Sequence, residues 1–143
     1  MNRALLRDER VLYAGYRKPH PLENKIEKIV YHDSCYLGRY NQEYEAPRNL
    51  ISNLAGVTIA EASRNRDKGF CCGAGGGQMF LEESEGKRVN IERTEELLSE
   101  NPSTIAVNCP FCMTMLTDGV KAKDKIDEVA VKDIAEILIE RVV

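Results

Sequence analysis

From residue 26 onward, short apolar runs alternate with longer amphipathic stretches, and the two periods predict strands and helices in turn. Ile26 to His32 (I-E-K-I-V-Y-H) has the Ile, Val and Tyr content of a strand and runs into Asp33-Ser34-Cys35. Pro47 suits the first turn of a helix reaching about Leu54, with Gly56 just past its end. Val57 to Ala60 is a second short strand. Gly69 to Gly77 (G-F-C-C-G-A-G-G-G) interrupts the pattern, and a helix is expected from its end through Met79, Phe80 and Leu81. A further helix spans about Gly86 to Glu100, with Ile91, Thr94, Leu97 and Leu98 on one face and Asn101-Pro102 as its stop.

Thr104 to Asn108 reads as a buried strand that delivers Cys109. Pro110 then opens a helix through Met113, Met115 and Leu116, expected to close near Gly119, and the methionines read as packing residues. Lys121 to Glu128 is a charged surface loop, and Glu128 to Val131 a last strand. Asp133, with Glu136 three residues on, caps a final helix whose stripe is Ile134, Ile137, Leu138 and Val142. Residues 1–25 are set apart as a short helix (Asn2 to about Tyr13) followed by an extended arm, with His20 in a loop between Pro19 and Pro21.

Strands alternating with helices place residues 26–143 in the α/β class: a small, mostly parallel sheet of about four strands with helices on both faces. Ligands of such sheets sit beyond the carboxyl ends of the strands. Cys35 and Cys109 both lie just past strand ends, so they are expected on that one edge.

Composition narrows the class of function. A chain of 143 residues, 43% hydrophobic and 30% charged, is a one-domain globular size. A net charge of −3 gives no electrostatic reason to expect nucleic acid as a partner. No apolar run approaches the roughly 20 residues of a membrane-spanning helix, and the first residues lack a signal-peptide pattern. A reducing cytoplasmic setting follows, where clustered cysteines are metal ligands or redox groups rather than structural disulfides.

The cysteines fall into three short segments: Cys35, the pair Cys71-Cys72 before Gly73, and Cys109-Pro-Phe-Cys112. Thirty-five residues separate the first from the pair, and thirty-six separate the pair from the last motif. Five thiols are one more than a tetrahedral ion uses. Cys109 and Cys112 sit at a strand-to-helix junction, where free N–H groups and the helix dipole favour thiolates. Missing side chains around Cys71 and Cys72 let backbone N–H groups approach sulfur. Without a cation, thiolates ~4 Å apart would repel by roughly 4 kcal/mol per pair at an effective dielectric of 20. Such a set binds a metal, stays partly protonated or oxidises. A dinucleotide fingerprint fails, because Gln78 stands at the third glycine position. A glutaredoxin-like reading of the C-P-F-C is weak, because no proline follows among the 31 residues after Cys112.

The motif C-x35-C-C-x36-C-x2-C, with its flanks, resembles the cysteine-rich CCG domain of heterodisulfide reductase and related iron–sulfur oxidoreductases. The relatives include the iron–sulfur subunits of glycolate oxidase, lactate utilisation and anaerobic glycerol-3-phosphate dehydrogenase. The matching residues are His32-Asp33-Ser34-Cys35-Tyr36-Leu37-Gly38-Arg39, Pro47-Arg48, Cys71 to Gly77 and Asn108 to Cys112. The resemblance implies one iron–sulfur cluster, [4Fe-4S] of non-cubane type, held by Cys35, Cys71, Cys72, Cys109 and Cys112. It also implies a role in electron transfer within a larger oxidoreductase. The implied partners are a second CCG domain and a ferredoxin-type or flavin electron donor, with any membrane association made through a partner.

Ser34 stands where many relatives have proline, and the chain has one such cysteine set where relatives usually have two. Beside the ligands, His32 and Asp33 are candidates to orient a thiolate or relay protons, and Gly73 to bring N–H groups to sulfur. Arg39 and Arg48 are candidates to balance the charge of a thiolate-ligated cluster. Two rivals remain from the residues themselves. One is a zinc-binding module using four of the thiolates, with zinc able to replace iron; the other is a metal-free dithiol redox protein.

Overall fold

A computed structural model of the chain describes residues 26–81 and 86–141. The expected N-terminal helix and arm, His20 and Val142 lie outside the described residues. Four strands form one all-parallel sheet: β1 (Glu27–Tyr31), β2 (Val57–Ala60), β3 (Thr104–Val107) and β4 (Ala130–Asp133), in the order β2-β1-β3-β4. Four α-helices connect or follow them: α1 (Glu45–Ser52), α2 (Val89–Leu98), α3 (Pro110–Ala122) and α4 (Ile134–Ile139).

Side chains of successive strand residues point to opposite faces, and each face builds its own core. Val30, Ile105 and Val107 pack with Leu97 of α2 and with Met115, Leu116 and Val120 of α3. Ile29, Tyr31 and Ala106 pack with Ile51 of α1 and with Ile134 and Ile137 of α4. Each fully buried aliphatic side chain contributes about 1.5–3 kcal/mol. Two helices on each face thus cover a sheet whose inner strands, β1 and β3, have no wet side.

Several element boundaries differ from the sequence-based expectation, each for a packing reason. Helix α3 continues through Gly119 to Ala122 rather than closing there. A Cβ at Gly119 would lie 2.0 Å from Thr94 Oγ1, so this glycine lets α2 and α3 approach closely within a continuous helix. The segment expected to be helical through Met79–Leu81 is instead 3-10 turns over Gly75–Phe80, with left-handed backbone at Gly76 and Gly77. Strand β4 starts two residues later than expected, because Glu128 and Val129 N–H groups donate to Lys125 O in a turn. It then runs straight into the Asp133 cap, whose carboxylate accepts from Ala135 N–H while Glu136 accepts from Asp133 N–H, both at 2.8 Å.

The strand order reverses once. The chain leaves β1 for β2 on one side, then crosses back to place β3 on the other. The carboxyl ends of β1 and β3 therefore diverge into loops of opposite sense, which opens a crevice between them.

Candidate metal centre

The crevice is where the cysteines meet. Cys35 follows β1, Cys71 and Cys72 lie on the loop that follows β2, and Cys112 sits in the first turn of the helix that follows β3. These four line one pocket with about 370 Å³ of empty, solvent-open space, together with His32, Asp33, Gly38, Arg39, Arg66 and Phe70. Cys72 and Cys112 are buried, Cys71 is half-buried and Cys35 is exposed at the mouth. Cys109, the N-cap of α3, is half-buried and does not line this pocket, although it lies one turn from Cys112. All five are free thiols.

The thiols hold one another's protons. The neighbouring Cys112 thiol and burial push Cys72 up to about 12. Cys72, with burial, raises Cys71 still further. Backbone groups pull the other way: Gly73 N–H lies 3.2 Å from Cys71 Sγ, Gly75 N–H also faces that sulfur, and Ala74 N–H faces Cys72. A run of N–H groups converging in this way is an anion-binding nest. Gly73 has φ +92, and a Cβ there would meet Asn90 N at 3.2 Å and the Met115 methyl at 3.3 Å. Its conformation and its closeness to α2 and α3 both require glycine.

Behind the cysteines stands a buried polar frame. Arg48 donates to both Asp33 oxygens at 2.8 Å and to Glu61 at 2.6 and 2.8 Å, and it lies 5.0 Å from the Tyr31 ring centroid. Its charge is matched by these carboxylates rather than directed at the thiols. Asp33 also accepts from Arg66 N–H at 2.8 Å. Burial would raise the Asp33 carboxyl, but the Arg48 and Arg66 bonds prevail and hold it below its ordinary value. Arg39 lines the pocket and donates to Gly69 O at 3.1 Å.

His32 is 1% exposed and accepts at Nδ1 from Arg93 Nε–H at 3.1 Å. Burial and the Arg93 cation together lower its pKa from 6.5 to about 3, so the ring is neutral. One of its nitrogens lies within 4.8 Å of the Cys72 and Cys112 sulfurs. Arg93 in turn donates to Glu96 at 2.8 Å and to Arg64 O at 2.9 Å. Glu96 also accepts from Arg64 N–H and from Ser63, which ties the loop leading to Cys71 onto α2.

Arg93, Glu96, Glu61 and Arg66 were not singled out from the sequence. The stripe expected on α2 was Ile91, Thr94, Leu97 and Leu98, whereas the buried positions are Asn90, Arg93, Thr94 and Leu97. A one-position rotation of the stripe to include polar residues was the only signal.

A family model described as "Cysteine-rich domain" (CCG) matches residues 29–117. The chain is 50% identical over 126 residues to a probable iron–sulfur-binding oxidoreductase FadF of Bacillus subtilis, covering 88% of this chain and 17% of that protein. It is 48% identical over 118 residues to an EtfAB:quinone oxidoreductase of Syntrophomonas wolfei, covering 78% and 16%. It is 35% identical over 119 residues to one subunit of the dihydromethanophenazine:CoB–CoM heterodisulfide reductase of Methanosarcina barkeri, covering 82% and 29%. The chain therefore spans under a third of the length of these relatives. No solved structure matches it.

Proposed function

The chain belongs to the cysteine-rich CCG domain family, and we propose that it is the iron–sulfur-binding, electron-transfer domain of a larger heterodisulfide-reductase-like oxidoreductase. The observation that carries this reading is the convergence of thiols from two loops and one helix start on one pocket at the β1/β3 crevice. The donor set suits such a group: soft thiols, a nest of N–H groups facing two of them, and the lining carboxylate of Asp33 already bonded to Arg48. The ligands are Cys35, Cys71, Cys72, Cys109 and Cys112, with the cluster a [4Fe-4S] of non-cubane type. Cys109, which does not line the pocket, would join this set as the N-cap one turn from Cys112. When bound, the cluster stores and releases single electrons.

The chain's own groups prepare that site. The nest at Gly73 to Gly75 stabilises sulfur-borne negative charge, and Arg39 adds positive charge at the rim. The Asp33–Arg48–Glu61 lattice fixes the turn that presents Cys35 at the exposed mouth. The cysteine-rich domain is assigned to residues 26–143. The partners are a second CCG domain and a ferredoxin-type or flavin electron donor, in a reducing, cytoplasmic setting. Among the described residues no helix is long and apolar enough to cross a membrane. Any membrane association is assigned to a partner.

Anaerobic reconstitution with iron and sulfide, followed by metal counts and electron paramagnetic resonance, tests the reading. About four irons per chain with a redox-active signal is the expected result for a [4Fe-4S] group. Tight stoichiometric zinc with no iron uptake overturns it. Cys35→Ala separates the two, since it should abolish or distort the cluster signal, whereas zinc on the other four thiols would survive.

A further inference from the structure

His32, Cys72 and Cys112 together have the outline of a small metal site: three buried residues with donor atoms within 4.8 Å of one another. Hydrogen bonding assigns His32 a different part. The His32 main chain is anchored at the crevice, because its backbone N–H donates to Ala106 O at 2.9 Å where β1 meets β3. Its Nδ1 faces Arg93 Nε, 3.1 Å away. A guanidinium has only N–H donors and does not give up its protons in proteins. Nδ1 must therefore present its lone pair. A neutral imidazole has one ring proton, so that proton sits on Nε2.

This polarity is the reverse of a metal ligand's. A ligating histidine donates its second N–H to an acceptor, which leaves the other nitrogen's lone pair for the metal. Here the second nitrogen is itself an acceptor, and binding metal through Nε2 would require stripping the ring's only proton. Arg93 is built to hold the arrangement. It is fully buried, and Glu96 and the Arg64 carbonyl fix its Nη1. Its Nη2 has no partner among the described residues, a cost that an apolar side chain at this position would avoid.

We propose that Arg93 is a positioning residue that locks His32 as the Nε2–H tautomer, so that the ring offers an uncharged N–H donor to the pocket lined by Cys72 and Cys112 rather than a further ligand beside the five cysteines. The tautomer is a property of the protein with or without metal. Its effect on a cluster rests on the iron–sulfur reading above. There, an N–H donated to ligand sulfur withdraws electron density and raises the reduction potential.

The test begins with metal-free protein labelled with 15N-histidine, using long-range proton–nitrogen correlation spectra. The chain has two histidines, and His20→Gln leaves His32 as the one remaining signal with its own surroundings unchanged. The expected result is a neutral Nε2–H pattern for His32 at pH 7. An Nδ1–H pattern, or an imidazolium, overturns the proposal in protein that keeps both His32 and Arg93. Arg93→Met should release the lock and give mixed tautomers; an unchanged Nε2–H pattern in a folded Arg93→Met protein also overturns it. In reconstituted protein, pulsed electron paramagnetic resonance should show the weak nitrogen coupling of a hydrogen bond, and strong coupling from iron-bound nitrogen would refute the donor role. His32→Gln and Arg93→Met should both make the potential more negative. If iron is never taken up, the iron–sulfur reading fails while the tautomer measurement still decides the role of Arg93.

Discussion

Arg48 shows how much a single side chain carries here. It bonds two carboxylates and the Tyr44 carbonyl, and it is nearly inaccessible to solvent together with Asp33. Replacing it with Met leaves Asp33 buried without its cation, and the expected loss is roughly 3–5 kcal/mol in urea denaturation. Arg48→Met combined with Asp33→Leu should recover much of that loss, because the uncompensated charge disappears. Strict additivity of the two single changes would show that they do not act as a pair. The Asp33 and Arg48 positions could be singled out from the sequence because they flank Cys35 and Pro47 in a matching pattern. Their mutual bond could not, since it depends on α1 packing beside the end of β1. Arg93 was hidden for a related reason: a buried arginine on a helix scores as surface by composition, and only its neighbours reveal otherwise.

At the scale of elements, the loops and helix starts at the carboxyl edge set the chemistry, and two glycines set their spacing. Gly119→Ala should push α2 and α3 apart and cost about 1–3 kcal/mol by overpacking, measured as a lowered urea midpoint. Because α3 also presents Cys112 at its first turn, the same change should weaken metal uptake. Gly73→Ala should cost ~1–2 kcal/mol through its left-handed backbone alone. It should also disturb the N–H that faces Cys71, so metal binding is expected to fall by more than the stability change explains. Strands were the most legible elements, since β1, β2 and β3 lie within one residue of the runs that predicted them. Strand β4 was displaced because it is an edge strand, where Lys132 and Asp133 are tolerated and apolar content is a poor guide. Gly119 was misjudged as a stop because composition does not distinguish a helix-ending glycine from one demanded by a neighbouring helix.

At the scale of the whole molecule, pH sensitivity joins these parts. His32 is buried neutral, with its pKa lowered from 6.5 to about 3, so below 6.5 the unfolded chain binds a proton that the folded one refuses. Stability is full above pH 6.5 and falls as pH drops toward 3, by up to about 1.4 kcal/mol per pH unit for this one proton. Asp33 and Glu96 act in the same direction at lower pH. Burial opposes ionisation of Glu96, but bonds from Arg64, Ser63 and Arg93 hold its pKa at about 2. The urea midpoint of metal-free protein should therefore drop between pH 7 and pH 5. In His32→Gln that drop should largely vanish; an equal drop would show that His32 is not the titrating group. The sequence by itself determined the alternation of strands and helices, hence a parallel sheet, and the three cysteine segments beside turn residues. Both are local properties, read from apolar periodicity and from residue type. Tertiary structure decided the rest: the β2-β1-β3-β4 order that opens the crevice, the burial of Cys72 and Cys112 against the exposure of Cys35, and the Arg93 bond that sets the hydrogen on His32. These follow from contacts between residues far apart in the chain, 75 positions for Ile29 and Thr104 and 61 for His32 and Arg93, and no local pattern encodes which side chain will fill the space behind another.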